Sequence, residues 1–116
     1  MSAETAAPAA ASLPTVFAAL GDDTRWSILV RLGSAPASAS ALTRELPISR
    51  QAVARHIEVL RAAGLVEAER HGRELRYRAL GARVSDAARS LEQLAGGWDA
   101  RLAGIKAAAE TPPTRA

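Results

Sequence analysis

Apolar positions along this 116-residue chain follow a helical period in four successive segments, alternate once, and then return to the helical period. Leu13, Val16, Phe17 and Leu20 recur at i, i+3, i+4 and i+7, which predicts a short helix ending near Gly21. Asp22 is placed to cap a second helix, with Asp23 favourable in its first turn. Trp26, Ile28, Leu29, Val30 and Leu32 make that helix apolar on most sides, so a central position is expected. "SAPAS", after Gly33, reads as a loop. Ser38 or Ser40 can cap a third helix with Leu42 and Leu46 inward, and Pro47 forbids its continuation. Ser49 caps a fourth, Val53, Ile57 and Leu60 share one of its faces, and Gly64 ends it in the left-handed conformation. The third and fourth helices are separated by a very short turn, the spacing of a helix-turn-helix.

"LVEAERHGRELRYRAL" changes period. Val66, Ala68 and Arg70 alternate with Glu67 and Glu69; Leu75, Tyr77 and Ala79 alternate with Arg76 and Arg78. A Gly lies between the two runs, so a two-stranded hairpin is predicted. From Arg83 to about Ala109, Val84, Ala88, Leu91, Ala95, Trp98, Leu102 and Ile105 are spaced alternately by four and three, an a/d seam. Gly96-Gly97 interrupts it at about 1 kcal/mol each relative to Ala, which marks the place for a kink or a break into two helices. The order α-α-α-α-β-β-α, mainly helical with a small hairpin, is that of a winged helix-turn-helix. The domain is expected over residues 13–109, between a disordered Ala/Pro leader (1–12) and a disordered tail (110–116).

Composition sharpens this in three ways. Hydrophobic residues make up 48% of the chain, but 28 residues are Ala, which adds helix propensity and little burial. A lean core is expected, of the kind that a partner subunit completes. There is no Cys, so a thiolate metal site or disulfide is excluded, and with no signal peptide or membrane span in the pattern a cytoplasmic location is expected. The net charge of +3 is modest, but between Arg44 and Arg83 nine Arg face five acids, a local excess of four.

That excess falls on two elements. A helix N-terminus carries unpaired N–H groups and partial positive charge, which favour phosphate, and its first turns can enter a major groove. Ser49, Arg50, Gln51, Ala54, Arg55 and His56 are therefore candidate DNA contacts; Arg suits guanine and Gln adenine. Arg70, His71, Arg73 and Arg76 on the hairpin are candidates for the minor groove or its phosphates. The competing readings are a solvated helix face and an edge hairpin protected by charge. Leu13, Val16 and Phe17 of the first helix, with Leu91, Trp98, Leu102 and Ile105 of the last, form a candidate dimer interface. His56 and His71 are the only histidines and have no ligand spacing, no Ser has the surroundings of a nucleophile, and no metal, cofactor or enzymatic activity is expected.

"FAALGDDTRWSILVRL", "ISRQAVARHIEVLRAAGLVEAERHGRELRYRAL" and "WDARL" resemble the ArsR family of bacterial winged-helix repressors over residues 13–108. The resemblance implies a homodimer that binds an imperfect inverted repeat in a promoter and leaves it in response to an inducer. The Cys-x-Cys pair that metal sensors of this family carry on the third helix falls on Ser38 and Ser40 here, and the last helix lacks the His residues of their other common site. A Ser hydroxyl is a poor ligand for a soft metal. The resemblance is thus to a Cys-free branch, and an inducer would enter a small apolar pocket near the dimer helices or act through a protein partner. The alternative from another class is a helical protein-interaction module that keeps the fold without binding DNA.

Overall fold

The computed structural model describes residues 11–110. The leader and tail expected at the two ends lie outside this range, apart from Ala11, Ser12 and Glu110. Helix α1 is Leu13–Leu20, α2 Asp23–Ser34, α3 Ala39–Glu45, α4 Arg50–Ala62 and α5 Gly81–Glu110. Strand β1 is Ala37–Ser38, β2 Val66–His71 and β3 Glu74–Ala79. The first four helices each begin on a side-chain cap. Ser12, Asp22, Ser38 and Ser49 accept from the backbone N–H three residues on, at 3.3, 2.9, 3.1 and 3.1 Å.

Gly64 closes α4 at φ 78, and the N–H of Leu65 returns to the carbonyl of Leu60 at 2.9 Å. The chain thereby reverses straight into β2, with Leu65 and Val66 fully buried. β2 and β3 pair antiparallel from Val66↔Ala79 to His71↔Glu74, leaving Gly72 and Arg73 as a two-residue turn. Gly72 has φ 64 and no other residue of the turn is positive, as in a type II′ hairpin.

Three expectations are corrected, and the open point at Gly96-Gly97 is settled. The segment read as a loop contains β1, which pairs with β3 at Ala37↔Tyr77 and Ser38↔Arg76 and makes a three-stranded sheet of order β1-β3-β2. Two residues are too few to carry a period. The last helix starts at Gly81 and runs unbroken through Gly96-Gly97 to Glu110. Helix-forming Ala, Leu, Gln and Arg on both sides outweigh a cost of about 2 kcal/mol for the pair. Helix α2 is not buried all round: Ile28 and Leu32, four apart, face the core, while Trp26 and Val30 are 53% and 59% exposed. Val16, assigned above to a dimer interface, is 0% exposed within its own domain, because it and Ala19 form the inward face of α1. Leu13 and Phe17 of that helix are only partly covered and remain available.

The core joins Val16, Ile28, Leu42, Val53, Leu60, Leu65 and Val66, so α1, α2, α3, α4 and β2 share one apolar interior. Of α5 only Ala87 enters it. At 1.5 Å per residue α5 is about 45 Å long, and from Leu91 onward every residue is exposed.

The Gly64 turn gives a test of this frame. A Cβ at Gly64 would stand 3.3 Å from Arg83 Cγ, and the positive φ disfavours any L side chain. Gly64→Ala should lower unfolding free energy by about 1–2 kcal/mol in urea titration, and an unchanged midpoint would show that the turn tolerates a side chain.

Candidate nucleic-acid interface

The inward stripe of α4 determines what its other side presents. Val53, Ile57 and Leu60 are buried, at spacings of four and three. Arg50, Gln51, Ala54 and Arg55 consequently lie exposed on the first two turns. The Ser49 hydroxyl accepts from Ala52 N–H, and the side chains of Arg50, Gln51 and Arg55 have no hydrogen bond or ion pair to a described residue. Arg61, two turns later, is instead engaged by Glu58 at 3.1 Å. That contact holds the Glu58 carboxyl below the usual range and raises the Arg61 guanidinium.

His56 is placed otherwise than expected. Its ring is 22% exposed, and Nδ1 lies 3.5 Å from Arg25 Nη1 and 3.9 Å from Asp22 Oδ2. Three residues after Val53 and one before Ile57, it borders the buried stripe and is turned toward α2. Of the two roles open to it, the geometry gives the structural one. Arg25, which the sequence did not single out, organises this corner. Its Nε donates to the Ala19 carbonyl at 2.8 Å and its Nη2 to the Ala18 carbonyl at 3.2 Å. The same residue's backbone N–H donates to Asp22. One guanidinium thus ties the last turn of α1 to the middle of α4. The signal for it was an Asp-x-x-Arg at a helix start, which alone reads as an ordinary cap.

On the wing, the arginines of β3 are paired. Arg76 Nε donates to Glu74 at 2.7 Å, and Arg78 pairs with Glu67 and, at 2.7 Å, with Glu69. The register stands Glu67 opposite Arg78, while Arg76 takes its acid two residues back on its own strand. The hydrogen bond from Arg76 also holds the Glu74 carboxyl below its usual range. Arg76, a candidate DNA contact, stands in an exposed ion pair with Glu74. His71 Nε2 lies 3.3 Å from Glu69. Arg70 and Arg73 are exposed and have no ion pair to a described residue.

The elements meet at a cleft of about 400 Å³, lined by Ser38 and Ser40 of the α3 start, Arg50 of α4, and Arg73, Glu74 and Tyr77 of the wing. Two unpaired guanidinium groups from distant parts of the chain face one opening, with hydroxyls between them. Ser40 and Tyr77 were not foreseen, because only the β1–β3 pairing brings them together. Arg44, exposed and without an ion pair among the described residues, adds to the same basic region of sequence. Ser38, 9% exposed, uses its hydroxyl to cap α3. Among the described residues no group of three or more His, Cys, Asp or Glu could hold a metal ion.

A helix-turn-helix whose second helix leads with unpaired Arg and Gln, followed by a hairpin with a free Arg at its turn, is the architecture of a winged-helix transcriptional regulator. The comparisons agree. The family described as "Helix-turn-helix domain" matches residues 20–69. An ArsR-like transcriptional regulator from Rhodococcus sp. RHA1 is 56% identical, over 86% of this chain and 94% of its own, with a TM-score of 0.81. The cadmium metal-sensor CMTR from Mycobacterium tuberculosis is 36% identical over 72% of this chain and 82% of its own, with a TM-score of 0.54. HTH-type transcriptional regulator Rv2034 from Mycobacterium tuberculosis is 48% identical over 48 residues, which are 41% of this chain and 45% of that curated relative. The chain belongs to the ArsR family of transcriptional regulators.

Asp22 gives this region a pH dependence. The N–H of Arg25, then the charges of Arg25 and His56, hold its carboxyl below the ordinary 3.8 against a smaller effect of burial. A lowered folded-state pKa means that the stabilisation is complete above 3.8 and is lost as pH falls through the folded value. Asp22→Asn, which can still cap, should melt below the wild type at neutral pH. The two curves should converge as pH falls below 3.8; a gap that stays constant into acid would remove the charge from the account.

Proposed function

We propose that the protein is a homodimeric repressor that binds an inverted-repeat operator, with α4 in the major groove and the wing turn on the flanking backbone or minor groove. The observation that carries this reading is the convergence of Arg50 and Arg73 on one cleft, both without an intramolecular partner, beside an exposed Gln51. Elsewhere Arg31, Arg61, Arg76 and Arg78 are each paired with a carboxylate. Cations left over at one opening fit an external polyanion. An interaction module without DNA binding has no use for them.

In this reading Arg50 and Gln51 read base edges, Arg55 and Arg73 meet phosphates, and the N-terminus of α4 adds its dipole. Replacing Arg50 or Gln51 by Ala should cost about 1–3 kcal/mol per lost base contact and relax the consensus in a selection from random DNA. Arg73→Ala should weaken all sequences alike and make the salt slope shallower by about 2 for a dimer. Unchanged affinity and consensus in the first pair, with an unchanged slope in the third, would refute the assignment. Repression is tested by reporter expression from the selected site, which should rise when the gene is deleted.

The dimer rests on α5. Leu91, Leu94, Trp98, Leu102 and Ile105 are all exposed and lie on one face, spaced 3, 4, 4 and 3. Leu94 joins the residues named from the sequence, where the strict a/d count passed over it. Among the described residues no helix is long and apolar enough to cross a membrane. A second copy of α5, with Leu13 and Phe17 of α1, is the cover that the stripe requires. Trp98, 54% exposed in the single chain, should behave as an interface anchor. Trp98→Ala should weaken dimerisation by about 2 kcal/mol or more, near thirty-fold, in sedimentation equilibrium while the far-ultraviolet spectrum is retained. A wild type that sediments as a monomer at micromolar concentration would overturn the dimer.

A further inference from the structure

A second recess, of about 370 Å³, involves none of the residues discussed for DNA. Trp26, Leu29 and Val30 of α2, Leu20 at the end of α1, and Val84 and Ser85 of α5 surround it, and no charged residue lines it. Its remaining walls include Gly33 and Gly81, where an added Cβ would meet nothing within 4 Å. The exposure of Trp26 and Val30, which the helical pattern of α2 did not anticipate, is the exposure of this recess.

We propose that the recess binds a small, uncharged, largely apolar molecule carrying one hydrogen-bonding group. Its size falls in the range of about 300–1,000 Å³ typical of small-ligand pockets. A single turn of α-helix with its side chains, about 10–12 Å across and 5.4 Å long, fills more than the recess holds. A second copy of the chain has its own seat further along α5, from Leu91 to Ile105, about 10–30 Å beyond Val84. The absence of lining charge excludes metal ions and anions. The indole of Trp26 offers an aromatic wall, and the hydroxyl of Ser85, without a hydrogen bond to a described residue, offers the polar contact.

The recess touches the two helices that matter on either side of DNA binding. Helix α2 carries Asp22 and Arg25, which hold His56 of α4, and α5 carries the apolar stripe. Between them, Leu80 N–H donates to the Leu65 carbonyl at 2.8 Å, just past the α4 stop. An occupant wedged between α2 and α5 changes the angle between the reading helix and the dimer helix. This regulatory part rests on the DNA-binding reading above; the binding site itself does not.

The experiment uses the full chain with Trp98→Phe, which leaves Trp26 as the one Trp of the two in the sequence. The probe is N-phenyl-1-naphthylamine, uncharged and excited by Trp emission. Titration without DNA should give saturable quenching of Trp26 and sensitised probe emission at one probe per chain. Gly33→Leu fills the recess and favours the helix, so it should weaken probe binding by about ten-fold or more while the melting curve and DNA affinity stay unchanged. The anionic analogue 1-anilinonaphthalene-8-sulfonate should bind more weakly. Absence of saturable transfer, or transfer untouched by Gly33→Leu, overturns the site. Transfer that appears only on dilution to monomers also overturns it, since a second copy then covers the recess. With DNA present, probe should shift the half-saturation of the operator by the wild-type chain, whose Trp98 is intact; a bound probe with no shift overturns the regulatory role alone. Failure to bind DNA without any probe is the separate failure of the functional reading.

Discussion

Burial of one stripe of α4 is the constraint from which the rest of this structure follows. Val53, Ile57 and Leu60 have no exposure beyond 3%, and each contributes about 1.5–3 kcal/mol by leaving water. Their partners come from every other core element: Ile28 of α2, Leu42 of α3, and Leu65 and Val66 at the entry to β2. Because the helix period is fixed, seating these three also fixes the outward bearing of Arg50, Gln51 and Arg55. Rotating α4 by one residue would bury an arginine and expose a valine. The exposed first turn is the other face of the core, held in place by hydrophobic packing with no need of a ligand.

Electrostatics then sorts the arginines into two groups. Where the fold places a carboxylate within reach, the pair forms: Arg31 with Glu45 at 2.7 Å, Arg76 with Glu74, Arg78 with Glu67 and Glu69. Such exposed pairs contribute little to stability, but they remove positive charge from the surface potential. Among the described residues, the arginines left without a hydrogen bond or ion pair are Arg44, Arg50, Arg55, Arg70 and Arg73, with Arg101 on α5. A formal charge of only +3 therefore understates how basic one side of the domain is. The sheet register carries much of this sorting, since it stands acids of β2 opposite bases of β3 and leaves the turn residue Arg73 with nothing across from it.

Legibility in the sequence followed the range of the interaction. Caps and stops are local, and Ser49, Pro47 and Gly64 announced the helix-turn-helix without knowledge of any neighbour. The hairpin was equally plain, because its two runs alternate around a Gly. Pairwise contacts across the fold were not legible. Nothing near Trp26 in the chain says that the third face of α2 is left uncovered, and nothing near His56 says that Arg25 waits 31 residues upstream. Val16 and Phe17 look alike as apolar positions of α1, yet one is core and the other half-covered, a distinction set by where α4 and α5 cross it. Ser38 had two readings, cap or relic of a metal site, and the geometry gives it the first. Arg76 read as a free cation because its acid is two residues away on the same strand, a spacing that a helical or cross-strand count does not flag.

The division of labour along the chain has an energetic logic. Ala supplies 28 of the residues, and only one residue of the 30-residue α5 enters the core. A helix isolated in water is marginal even at 12–15 residues of good formers, and this one carries two adjacent glycines in its middle. Its apolar positions are not scattered as surface residues usually are; they return to one face over about four turns, from Leu91 to Ile105. Such a helix is stable only if something covers that face. Among the described residues, the first four helices and the sheet form an apolar interior that takes only Ala87 from α5 and leaves that face uncovered. Under the proposed function a second α5 supplies it, and joining two reading heads at that seam sets the distance between half-sites.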